Sequence, residues 1–145
     1  MYSERERRRF TALEVLIVDD DGFILRAVGQ ILRDMGISHQ TLARDGEEAL
    51  DFIMEDGTTG TRLNFDLIIC DWMMPGVSGL DVLKAVRERD SKQPFLMLTS
   101  KVSKEAILAA KELDVSAYLA KPIVPKELQK KIDSLMVKAG RIPAF

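Results

Sequence analysis

This chain of 145 residues has one cysteine, one histidine and one tryptophan, and aromatic residues make up 6% of it. A single cysteine closes no internal disulfide, which suits a reducing cytosol. Cys70 falls inside an apolar run and reads as a small core residue. His39 has no partner pattern around it, so neither a histidine metal site nor a phosphohistidine is expected there; it reads as an exposed edge-strand residue. No apolar run approaches the roughly 18 residues that a membrane span needs. Met1 to Phe10 is polar and mixed in charge, unlike a secretory signal. A net charge of -2 argues against a general nucleic-acid binder. The chain carries no repeat, no low-complexity segment and no linker long enough to divide two domains. These absences leave one cytoplasmic domain as the expectation.

What is present is a pattern. The hydrophobic fraction of 46% supports a real core, and 30% charged residues support a solvated surface. Short apolar runs alternate with helical spacing from Glu14 to about Lys138, as in an α/β fold with a parallel sheet. Val15 to Val18, Leu67 to Cys70, Phe95 to Leu98 and Ala117 to Ala120 read as buried strands, and Ile37 to Ala43 as a partly polar edge strand. Gly36 ends the helix after the first strand, Ser103 caps another, and Pro125 starts the last. Five strands and five helices result, in a domain spanning 13–138. Residues 1–12 and 139–145 read as tails. Arg5, Arg7, Arg8 and Arg9, with Glu4 and Glu6 among them, read as a frayed, solvated segment, with a membrane-surface or partner contact as the alternative. Asp56 to Phe65 reads as an exposed loop.

Four of the runs stop on polar residues: Asp19-Asp20-Asp21, Asp71, Thr99-Ser100 and Lys121-Pro122. In open α/β sheets the ligand site lies beyond the carboxyl ends of the strands. Carboxylates gathered there repel unless paired, and magnesium, which takes one or two carboxylates and keeps phosphate oxygens, removes that cost. Asp19 to Asp21 could equally cap the following helix, and three in a row exceed what a cap needs. Asp71 suits a nucleophile toward phosphorus, or a cap for the turn after it. Lys121 offers a point charge, or is a surface lysine in a loop stiffened by Pro122, where a cis bond is the minority state. Thr99 or Ser100 offers a hydroxyl to a phosphoryl oxygen, or is only a strand end.

In this order and spacing the residues resemble the receiver domain of two-component response regulators, close in layout to the single-domain chemotaxis type. The likeness covers about Glu14 to Lys138. It rests on Val15 to Asp20, on Asp71-Trp72-Met73-Met74-Pro75-Gly76 followed by Gly79, on Leu98-Thr99-Ser100, and on Tyr118 with Lys121-Pro122. The resemblance implies a flavodoxin-like doubly wound five-stranded parallel sheet of order 2-1-3-4-5 with helices on both faces. It implies Asp71 as the acceptor of a phosphoryl group from a histidine kinase or a histidine phosphotransfer protein. Magnesium is implied on Asp20, Asp71, Asp19 through water, and the carbonyl of Met73. Thr99 is implied to move toward the phosphoryl group while Tyr118 turns inward, altering the face of the fourth helix, fifth strand and fifth helix for a downstream protein.

Met73 and Lys101 flank the acceptor and switch positions, where they border the path of attacking water. Trp72 is expected to pack at the rim and to report cation binding. Nothing after Lys138 has the length of an output domain, so output is expected through protein contact. An aspartyl-phosphate phosphatase is a rival, but such enzymes use a second carboxylate two residues after the nucleophile, where this chain has Met73. A phosphorelay intermediate and a receiver cut from a longer regulator remain as alternatives.

Overall fold

The computed structural model describes residues 2–54, 63–100 and 103–144. Helix α1 (Glu4–Arg8) precedes β1 (Glu14–Val18), α2 (Gly22–Met35), β2 (His39–Ala43), α3 (Gly46–Met54), β3 (Leu67–Asp71), α4 (Gly79–Arg89), β4 (Phe95–Thr99), α5 (Lys104–Glu112), β5 (Ala117–Ala120) and α6 (Pro125–Lys138). The five strands form one parallel sheet of order β2-β1-β3-β4-β5, as the resemblance implies. The output face expected on the fourth helix, fifth strand and fifth helix is therefore α5, β5 and α6.

Strand side chains alternate between faces, so continuous apolar strands build two cores. Val15, Ile17, Ile69 and Leu96 meet α2 and α6 residues such as Leu32 and Ile132 on one face. Leu16, Val18, Ile68, Cys70 and Met97 meet α3 and α4 residues such as Ile53 and Leu83 on the other. β2 carries the expected edge pattern, with His39 exposed and Ala43 buried. The nearest acid to His39 is Glu14, at 4.0 Å. α5 is the least embedded helix of the layer: Ala110 is its one buried residue.

Two tail expectations are corrected. Residues 2–12 are not a frayed, solvated segment. Ser3 and Glu6 close a capping box on α1, and Phe10 is fully buried in the core shared by α2 and α6. Tyr2 stacks edge-on against Phe10 with ring centroids 5.8 Å apart. The Arg9 guanidinium donates to the Pro143 carbonyl at 2.7 Å and pairs with Asp133 of α6 at 3.4 Å. Nor is the far end free: Ile142 is buried, and Arg141 pairs with Asp66 at 2.6 Å. Asp66 in turn accepts the Glu14 N–H at 2.8 Å. Burial of Phe10 and Ile142 is what brings both ends down.

Gly36 explains how α1 can dock. Its φ of 107° closes a Schellman turn on α2, and its missing side chain leaves room for the Arg7 carbonyl, 2.5 Å from where a Cβ would lie. Of the loop expected at Asp56 to Phe65, positions 55–62 lie outside the described residues. Leu63 is buried rather than exposed, because it packs in the α3–α4 core. The Lys121–Pro122 bond is cis, the minority state.

Candidate functional site

The site is assembled where the strands end. β1 and β3 are adjacent, with Val18 beside Cys70, so the residues that follow each run emerge together. Asp19, Asp20 and Asp71 each place one carboxylate oxygen within 4.8 Å of the others. Asp19 is fully buried, Asp71 is 5% exposed, and Asp20 faces solvent.

The three consecutive aspartates divide their work. Asp21 caps α2 by accepting the Phe23 N–H at 2.9 Å. Asp19 accepts the Asp21 N–H at 2.9 Å, and its own N–H donates to Ala43 of β2 at 3.1 Å. The cap reading thus holds for one of them, and the other two are left for the site.

β5 delivers the cation. The Lys121 N–H donates to the Thr99 carbonyl at 2.7 Å, which continues the β4–β5 ladder past the strand end. Its ammonium reaches Asp19 at 3.0 Å and Asp71 at 3.3 Å. Burial alone would lower the Lys121 pKa, but the hydrogen bond and charge of Asp19, with Asp71, outweigh it and hold the ammonium above the ordinary lysine value. Burial, then the charge of Asp19, pushes the Asp71 carboxyl up to about 6, while Lys121 pulls against that shift.

Among the described residues, three carboxylates meet one ammonium, which leaves the site short of positive charge. A hard divalent cation with oxygen ligands fits that deficit. Thr99 gives a second sign of fit. Its hydroxyl is buried and has no hydrogen-bond partner among the described residues, which is costly unless a ligand oxygen meets it.

The β3–α4 connection fixes Asp71. The Trp72 N–H donates to Leu98 at 2.8 Å, and Trp72 is 7% exposed, so it packs rather than stands in solvent at the rim. Gly79 opens α4, its N–H donating to the Trp72 carbonyl at 2.9 Å. A Cβ at Gly79 would collide with the Asp71 carbonyl oxygen, so the helix starts directly against the backbone of Asp71. Met73 is 63% exposed beside the acids.

The expected residues Asp19, Asp20, Asp71, Thr99 and Lys121 therefore converge on one edge of the sheet. Tyr118 does not join them in this conformation: it is 48% exposed and faces outward. Lys101 lies outside the described residues. Sequence reasoning passed over Ile107 and Ala110 of α5, which together with Trp72, Thr99 and Leu119 wall an apolar cavity below Tyr118. Their helical spacing gave no signal beyond core packing.

The profile of the response regulator receiver domain matches residues 15–133. Over 130 residues the chain is 35% identical to the chemotaxis protein CheY of Pseudomonas aeruginosa, a match covering 88% of this chain and 99% of that protein. It is 34% identical over 125 residues to chemotaxis protein CheY-3 of Vibrio cholerae, covering 85% of this chain and 91% of that one. Among solved structures, chemotaxis protein CheY4 of Vibrio cholerae aligns with a TM-score of 0.73 at 34% identity, covering 85% of this chain and 98% of that one. A CheY-like receiver domain protein from Methanospirillum hungatei aligns with a TM-score of 0.79 at 27% identity, covering 90% and 98%.

Proposed function

Because the chain belongs to the response regulator receiver domain family and is of the chemotaxis type, we propose that it is a phosphoaspartate switch with Asp71 as its acceptor. The donor is a phosphohistidine on a histidine kinase or histidine phosphotransfer protein, met in the cytoplasm. A carboxylate oxygen of Asp71 attacks phosphorus, the P–O bond forms, and the P–N bond breaks with its electron pair returning to the imidazole. Phosphoryl transfer asks the protein mainly for positioning and charge neutralisation.

Asp20, Asp71 and the Met73 carbonyl, with Asp19 through water, would hold Mg2+. When bound, the ion supplies charge to the phosphoryl oxygens and orients them. Lys121 adds a second positive charge within reach of the same oxygens. Thr99 donates its unpartnered hydroxyl to one of them. Tyr118 then turns inward, and the α5–β5–α6 face presented to a downstream protein changes. Phosphorylation biases a population that already exists.

The observation that carries this reading is the convergence of the three carboxylates, one ammonium and a buried, unpartnered hydroxyl. A phosphatase is disfavoured by Met73, which has no carboxylate to act on a leaving group. The decisive experiment incubates the protein with Mg2+ and a small acyl-phosphate donor and measures intact mass. One added phosphoryl group is expected, absent in Asp71→Asn and without Mg2+. An unchanged mass for folded wild-type protein refutes the reading.

A further inference from the structure

α5 is built from small residues where it meets the sheet. Ala106, Ala109 and Ala110 occupy the turn around Ile107, and Ala110 alone is buried. Side chains this short fill little volume, and a cavity of about 380 Å³ remains between α5, the ends of β4 and β5, and α6. That volume falls in the range of small-molecule sites, roughly 300–1,000 Å³. Its wall is Trp72, Ile107, Ala110, Leu119 and Ala120, with the Tyr118 ring beside them, a mostly apolar surface with one buried polar exception. The exception is Thr99, which lines the cavity and carries a buried hydroxyl without a partner. Glu127 and Lys131 stand at the rim with opposite charges, and the wall itself carries none.

We propose that this cavity is a binding site for a small, neutral, aromatic molecule bearing one oxygen acceptor, with the ring against Trp72, Ile107 and Leu119 and the oxygen on the Thr99 hydroxyl. Apolar walls reward a flat hydrocarbon ring, and a cavity lined this way is favourable to fill. The buried hydroxyl selects an acceptor, because leaving it unpaired on ligand binding forfeits a hydrogen bond. The apolar wall offers no charged partner, so burying an ionised ligand there would be costly, which favours a neutral one.

One consequence rests on the function proposed above. The Thr99 hydroxyl has a single proton to donate. A ligand that accepts it and a phosphoryl group on Asp71 compete for the same donor. The ligand also occupies the space below Tyr118 that an inward turn of that ring would need. Binding should therefore oppose phosphoryl loading, and reciprocally so.

Coumarin, a bicyclic aromatic with one carbonyl acceptor, is the probe. In a titration followed by NMR, saturable shifts are expected at the Trp72 indole and the Ile107 and Leu119 methyls. Ala110→Leu, which fills the cavity, should abolish them. Thr99→Val, which keeps shape and removes the hydroxyl, should weaken binding about fivefold. Shifts that do not saturate, that spread over the surface, or that persist unchanged in a folded Ala110→Leu protein overturn the site. Should that variant not fold, Thr99→Val decides, and an unaltered affinity overturns the proposal. In the second arm, Mg2+ and beryllofluoride, which stands in for the phosphoryl group, should weaken coumarin binding by about fivefold or more. Uptake of beryllofluoride with no change in coumarin affinity refutes the competition. A protein that takes coumarin but no beryllofluoride keeps the cavity site and overturns the phosphoaspartate reading.

Discussion

At the amino edge of the sheet, each acid finds a guanidinium: Arg9 meets Asp133 and Arg141 meets Asp66. At the carboxyl edge Asp19, Asp20 and Asp71 share Lys121. Both edges bury charge, but the first balances it and the second does not. Balanced pairs with hydrogen bonds to spare fasten the chain ends and take no ligand. The unbalanced cluster raises the free energy of the fold by itself and lowers it with a cation and a phosphoryl oxygen bound. Stability and function are thus spatially divided within one sheet.

The largest test of that division removes the acceptor. Asp71→Asn is expected to lose all Mg2+-dependent labelling by a small acyl phosphate while keeping its fold, checked by intact mass and circular dichroism. Labelling that survives would move the acceptor elsewhere. The converse test attacks the amino edge. Phe10→Ala should cost about 3–5 kcal/mol in urea unfolding, as for other buried aromatics, with no change in labelling of the folded fraction. A parallel loss of labelling would show that the two edges are not independent.

A smaller effect separates the edges by pH. The folded-state pKa of Asp71, about 6, lies above its ordinary value of 3.8. Its contribution to stability is therefore full below pH 4 and is lost as pH rises through about 6. Without Mg2+, Asp71→Asn should accordingly be more stable than wild type at pH 7, and this gain should vanish near pH 4. Wild-type stability that stays flat across this range would contradict the charge-deficit account.

Arg141→Ala should cost about 1–2 kcal/mol, because Asp66 loses its guanidinium but keeps the Glu14 N–H. Added Mg2+ should not alter that cost in thermal melts; if it does, the edges communicate. The smallest expected change is Ser3→Ala, about 0.5 kcal/mol from loss of the α1 cap. A much larger loss would mean that α1 organises the amino edge rather than resting on it.

The two edges also differed in how well they could be read beforehand. Strand ends were legible because a continuous apolar run that stops on Asp71 or Thr99 announces both a strand and where it surfaces. The strand order was not in the periodicity; it came with the family likeness. The amino edge was illegible for a physical reason. Phe10 and Ile142 belong to no helical or strand period that would mark a face, and Arg9 finds Asp133 across 124 residues of sequence. A run of arginines looks solvated until the tertiary partner is known. The cavity under α5 escaped notice because it is made by alanines, whose effect on packing depends on how far away the facing strands are. The conformation of Lys121–Pro122 was likewise set by the fold and not by local preference.

Gly79 has a practical meaning for anyone altering this molecule. Since the first residue of α4 abuts the carbonyl of Asp71 with no slack, that junction behaves as a rigid joint. A push on the opening turn of α4 is delivered to the backbone of Asp71, and even a methyl group at position 79 would shove its carboxylate out of place.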